Sequence, residues 1–194
     1  MLTSSIVIGL LLSVARRGDL RRLASMPLRG WWVFVVAFLL KFAITRFDVE
    51  THTWVSSIGP ALHIVVYLMV LLPLVLNREL PWMSWVLAGT MLNFLVIAIN
   101  GGRMPVLEQA LEVLGKQRSL ETLRAGADIL HVSIARETAL PWLGDWIPIP
   151  FPLASVVSPG DVLLAIGVIL LMVAVTQGEP HSSPAAADER PRNQ

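Results

Sequence analysis

Asn100-Gly101-Gly102-Arg103-Met104-Pro105 closes an apolar run over residues 82–99 and opens the long polar stretch between hydrophobic segments. The run is long enough to cross a bilayer as a helix. Two glycines behind an asparagine let the chain leave helical geometry, because glycine takes positive φ without a Cβ clash. Pro105 then presets φ for a new helix start. Which end of the molecule this turn occupies decides where every other segment is placed.

Composition names the solvent. The 194 residues are 55% hydrophobic and only 15% charged, with a mean hydropathy of +0.67, whereas soluble domains carry about 25% charged residues. Lipid bilayer is therefore the expected partner of most of the surface. A net charge of +1 makes no electrostatic case for nucleic acid. The absence of cysteine excludes disulfides, thiolate metal sites and cysteine nucleophiles.

Apolar runs at about 2–15, 31–46, 58–76, 82–99 and 160–176 predict an all-α membrane protein of about five transmembrane helices. Residues 1–176 read as a single bundle, and 177–194, polar and rich in proline and alanine, as a disordered cytoplasmic tail. Ser13-Val14-Ala15 resembles a signal-peptide cleavage site, but the positive charge follows the apolar run instead of preceding it, which favours an uncleaved helix. At ~1.5 Å per residue that helix reaches only ~21 Å into a ~30 Å hydrocarbon core.

Arg16, Arg17, Arg21, Arg22 and Arg29 face Asp19 alone in the first connecting segment. A short loop this basic stays in the cytoplasm, so the N-terminus lies outside and the C-terminus inside the inner (plasma) membrane. Trp31, Trp32, Trp82 and Trp85 then fall at inner span ends, and Trp54, Trp142 and Trp146 in outer segments, as interfacial aromatic belts require. Lys41, near an outer span end, reads first as a snorkelling side chain and second as an ammonium facing the bundle. Residues 104–158 become an extracytoplasmic interfacial helical cap, with amphipathic turns at 106–114, 120–124 and 127–136. Proline at 148, 150 and 152 makes 142–152 an extended apolar strap. Ser158-Pro159-Gly160-Asp161 has the N-cap, N1 and N3 residues of a helix start.

On this topology the unusual polar residues gather at the outer end. The candidate ligand-binding residues are Asn100, Gly101, Gly102, Arg103, His63, His131 and Asp145, and the candidate acid–base groups are His131, Asp145 and Asp161. They are expected to converge in a polar pocket beneath the cap. Each has a plainer reading as well: Asp161 as a capping residue, Asn100 as the cap of the fourth helix, Asp145 as a turn residue, and each histidine as a hydrogen-bonded structural group. His63, His131 and one aspartate match the residue types of a two-histidine, one-carboxylate site. No close-spaced ligand pair supports it, so no metal and no cofactor is expected. Nucleophile elbows, Walker loops and GxGxxG are absent.

Asn100-Gly101-Gly102-Arg103-Met104-Pro105-Val106, then His131, then Leu143-Gly144-Asp145, then the stretch from Ser158-Pro159-Gly160-Asp161 to Gly167, in that order, resemble a bacterial family of small membrane proteins, the domain of unknown function DUF5317. The resemblance covers most of the chain before the tail. It implies a bacterial inner-membrane protein and carries no assigned activity, hence no catalytic residues. The expected function is non-enzymatic: binding of a lipid-like or small amphipathic ligand, or of a partner membrane protein, through the outer pocket. The alternatives are an enzyme acting on a lipid or isoprenoid headgroup, and a transporter or membrane-complex subunit. Five spans do not divide into two equal repeats, which counts against a stand-alone transporter.

Overall fold

A computed structural model describes residues 2–46, 53–151 and 154–178. The tail reading beyond residue 178 lies outside the described residues, and the Trp54 side chain, read as part of an outer segment, is not described either. Helices occupy the apolar runs: α1 (Leu2–Ala15), α3 (Trp31–Arg46), α4 (Thr53–Leu76), α5 (Met83–Ile99) and α8 (Pro159–Gln177), with a one-turn α2 (Arg21–Ala24) in the basic segment. Two stretches, Ile58–Leu76 within α4 and all of α8, are long and apolar enough to cross a membrane, and three shorter apolar helices accompany them. α4 starts several residues earlier than its apolar run suggests, so Pro60 lies in the helix interior instead of its first turn. α8 starts where the capping signal puts it. Ser158 Oγ accepts from the Asp161 amide at 2.9 Å, the Asp161 carboxylate accepts from the Ser158 amide at 3.4 Å, and Pro159 follows the cap.

The long helices pack in the order α1, α8, α5, α4, α3, and no extensive packing joins α1 to α3 among the described residues. The bundle is thus an open arc with a gap between its first and last members. Small residues make its tightest seams. α1 buries Ser5, Gly9 and Ser13, one per turn, against α8, a small-xxx-small stripe that lets backbones approach. At the α5–α8 crossing a Cβ on Gly89 would lie 2.6 Å from the Leu164 backbone nitrogen, and one on Gly167 would lie 2.7 Å from that of Val86. Only glycine permits that approach. At the basic end, Asn77 ties the loop to α4: its side chain donates to the carbonyls of Arg29 and Pro73 and accepts from the Arg29 amide.

The cap at the opposite end is not purely helical, which corrects the sequence expectation. It contains α6 (Glu108–Val113), α7 (Gln117–Arg124) and two small sheets. β1 (Met104–Val106) pairs in parallel with β2 (His131–Ser133), and β3 (Ile147–Ile149) pairs antiparallel with β4 (Ser155–Val157). Pro105 therefore sits in a strand and does not open a helix. Its flanking residues use the β2 edge, where Met104 donates to Leu130 and Val106 accepts from Ile134, while the Pro105 carbonyl faces the other way and accepts from Asp145. The missing proline N–H costs no bond to β2. The expected amphipathic turn at 127–136 is instead an aspartate-led turn into β2, because the Asp128 carboxylate takes the amides of Leu130 and His131. The strap over 142–152 is extended at β3 as expected, but it is entered through a 3-10 turn at Pro141–Leu143. Val106, Leu111, Leu120 and Leu123 form the cap's own core, and Ile129 and Leu130 plug it into α3 and α4 beside Ala37, Ile44 and Val66.

Candidate functional site

Where the cap meets the bundle, a polar chamber of about 150 Å³ is lined by Lys41 of α3, His63 and Tyr67 of α4, Asn93 of α5, Asp161 of α8, and His131 and Asp145 of the cap. Four residues singled out from sequence, His63, His131, Asp145 and Asp161, share this chamber. Asn100, Gly101 and Arg103 do not line it. Asn100 instead ends α5: its amide donates to the carbonyls of Val96 and Ala139, and its oxygen accepts from the Ala139 amide. Gly102 contributes through its carbonyl alone, which lies 2.9 Å from His63 Nδ1. Gly102 takes φ +85°, and a Cβ there would strike the Pro60 carbonyl, so this turn needs glycine to reach α4.

Three polar residues bind one another at the chamber floor. Asn93 donates to Asp161 Oδ1 at 2.8 Å and accepts from Ser158 Oγ at 2.7 Å. With the Ser158 amide on its other oxygen, Asp161 has partners on both oxygens. It supplies negative charge to the chamber more than a free proton acceptor. Asp145 is different. Its backbone is locked to β1, donating to Pro105 and accepting from Leu107 at 2.8 Å each, and Gly144 makes this possible because a Cβ there would lie 2.6 Å from the Pro105 carbonyl. Its Oδ1 is buried with no partner among the described residues. Burial and the negative charge of Asp161 push the Asp145 carboxyl up to about 7, with His131 and Lys41 pulling it back down.

His131 is aimed by Asp128, whose carboxylate oxygens lie 3.0 Å from Nδ1. Burial works to raise the Asp128 carboxyl, but the His131 ring and the Leu130 and His131 amides outweigh it and hold it below the ordinary aspartate value. An aspartate fixing one ring nitrogen sets the tautomer and leaves the other nitrogen to act. His131 and Asp145 also line a second pocket of about 190 Å³ in the cap surface, among Val106, Leu111, Lys116 and Ser155. These two side chains form the wall between the cap surface and the chamber.

Lys41 marks the third boundary. Its ammonium lies 6.0 Å from the centre of the Tyr67 ring, which stacks edge-on against His63 at 5.3 Å. The residue stays exposed, yet its ammonium leans toward α4, which favours the second sequence reading over the first. It also lines a much larger, almost wholly apolar cavity of about 570 Å³, half open and lined by α1, α3, α4, α5 and α8 through Phe34, Phe38, Val70, Leu164 and Leu171 among others. Tyr67 and Asn93 escaped the sequence reading as site residues. The available signal was Gly89, Thr90 and Asn93 clustered in one apolar helix, since polar side chains inside such a segment turn to the bundle interior.

A helical bundle with a mixed cap, a polar chamber at their junction and an apolar cavity beneath defines the class. The chain belongs to a family of unknown function, DUF5317, which matches residues 25–173. An uncharacterized protein of Thermotoga maritima is 26% identical over 175 residues, covering 89% of this chain and 90% of that protein. No solved structure matches.

Proposed function

We propose that this is a bacterial inner-membrane protein, a single five-span bundle over residues 1–176, that takes a lipid-like amphiphile with its chain in the apolar cavity and its headgroup in the capped polar chamber. The observation that carries the reading is that Lys41 lines both compartments, so a polar site and an apolar site meet at one cation. The gap between α1 and α3 supports lateral entry from lipid.

Support for the membrane comes from an inverted burial pattern. α1 buries its small residues and exposes Ile6, Val7, Leu11, Leu12 and Val14, and Phe38 on α3 is 68% exposed. In water such a surface would aggregate; in lipid it is solvated. Trp31, Trp32, Trp82 and Trp85 lie exposed toward the basic end and Trp142 and Trp146 in the cap, a distribution suited to two interfaces. The basic segment lies at the end opposite the cap, which supports a cytoplasmic basic end and an outer cap.

A second reading, chemistry on the headgroup, is favoured by one observation: the Asp128–His131 pair and the unpartnered Asp145 oxygen stand in the wall through which a cap-side water would enter. Lipid analysis of the purified chain tests the main reading. A stoichiometric co-purifying amphiphile, lost when Leu164→Trp fills the cavity, is expected; a lipid-free, folded wild type would refute it. Release of a headgroup product that Asp145→Asn abolishes would move the assignment to the second reading.

A further inference from the structure

Among the described residues, the chamber's buried side-chain atoms without a partner are of one kind. His63 Nδ1 faces a carbonyl oxygen at 2.9 Å, and a carbonyl only accepts, so Nδ1 carries the proton. The residue is 2% exposed, with no carboxylate bonded to it among the described residues, and an imidazolium there would be an uncompensated buried charge. The ring is therefore neutral, and Nε2, buried with no partner among the described residues, is a lone pair. Asp145 Oδ1 is a second unpartnered atom on the same chamber, and this oxygen accepts both in the ionised carboxylate and in the acid that carries its proton on Oδ2. Asp161 and Asn93 are already bonded to each other. Among the described residues the chamber thus holds two idle acceptors, with the Lys41 ammonium at its boundary with the apolar cavity.

We infer, on the amphiphile reading given above, that the headgroup is a phosphate ester carrying a hydrogen-bond donor beyond the phosphate, with the phosphate at Lys41 and the donor, a hydroxyl or an ammonium, reaching His63 Nε2 and Asp145 Oδ1. The order of groups in the ligand follows the order of groups in the protein: apolar wall, cation, then acceptors. Buried acceptors left idle are costly and are relieved only by a donor. The chamber's 150 Å³ has room for several waters, which suits a headgroup the size of glycerol or ethanolamine. A trimethylated ammonium has no N–H to offer and leaves both acceptors unpaired.

The full chain, purified and stripped of lipid, is offered phosphatidylglycerol, phosphatidylethanolamine and phosphatidylcholine of matched acyl chains in competition, and retained lipid is read by native mass spectrometry. Phosphatidylglycerol, phosphatidylethanolamine or both are expected at least about tenfold over phosphatidylcholine, the margin of one or two buried hydrogen bonds. Whichever of the two is preferred shows whether the donor is hydroxyl or ammonium. His63→Phe and Asp145→Leu each shrink that margin, and Lys41→Met weakens all three lipids together. Phosphatidylcholine competing equally on the wild type, a comparison needing no variant, overturns the headgroup inference while leaving the amphiphile reading intact. Failure to retain any of the three phospholipids also overturns the headgroup inference, whereas the amphiphile reading falls only if the folded wild type purifies free of any amphiphile.

Discussion

Replacing Asp145 by asparagine removes a chamber carboxyl that has a buried oxygen without a partner among the described residues, and its effect on stability should depend on pH in a way no surface aspartate would show. The carboxyl rises from 3.8 to about 7 on folding, through burial first and Asp161 second, against His131 and Lys41. The folded state then holds this proton more tightly than the unfolded one. Stability from the group is complete below the unfolded value of ~4, declines as pH rises, and is lost once pH passes the folded value of about 7. About three units at ~1.4 kcal/mol each sets an upper bound of ~4 kcal/mol. Partial exposure and a water-accessible chamber reduce this to roughly 2 kcal/mol. Asparagine cannot ionise, so the variant escapes the loss. Asp128 titrates with the opposite sign but is common to both proteins and cancels in the difference. Melting followed by tryptophan fluorescence in detergent should show the variant's advantage growing by about 5 °C between pH 4.5 and pH 8, at ~2–4 °C per kcal/mol. Parallel curves, or a wild type that gains on the variant with rising pH, would refute a buried, proton-holding Asp145.

Gly89→Leu should cost about 3 kcal/mol or more, because the new side chain would run into the Gly160 and Leu164 backbone, which cannot rotate away; loss of a monodisperse peak after mild heating measures it. Asn77→Ala strips partners from Arg29 and Pro73, should cost ~2–3 kcal/mol, and should speed tryptic cleavage at the arginines of residues 16–30. Arg124→Ala breaks only solvent-exposed pairs with Glu108 and Glu112 and should leave the melting temperature nearly unchanged. Cysteines introduced at Ser25 and Ser119 should react with impermeant reagent from opposite sides of the membrane; labelling of both from one side contradicts the proposed topology.

The helices were legible because long apolar runs state their own limits: α1, α3, α5 and α8 begin and end within about a residue of the runs. The cap was not. β1 and β2 have three residues each and pair across a long separation in the chain, and three residues hold too little period to tell a strand from a turn. The seams were written as Ser5, Gly9 and Ser13 and as Gly160 and Gly167, and they are recognisable only once small residues are taken to face inward, as the proposed lipid surround would require. For the chamber, sequence supplied depth without azimuth. Depth sufficed for His63, His131, Asp145 and Asp161. It ranked the bundle-facing reading of Lys41 second, because the direction of that side chain depends on Tyr67 of the neighbouring α4, and it drew in Asn100 and Arg103, which share the level but not the cavity.

The most direct test of the central claim is a high-resolution structure of the protein in native-lipid nanodiscs. The account predicts one elongated ligand running from the apolar cavity past the Lys41 ammonium into the chamber, with its polar end within hydrogen-bonding distance of His63 Nε2 and Asp145 Oδ1. A cavity closed by α1 moving onto α3, with ordered water alone on those two atoms, would contradict it.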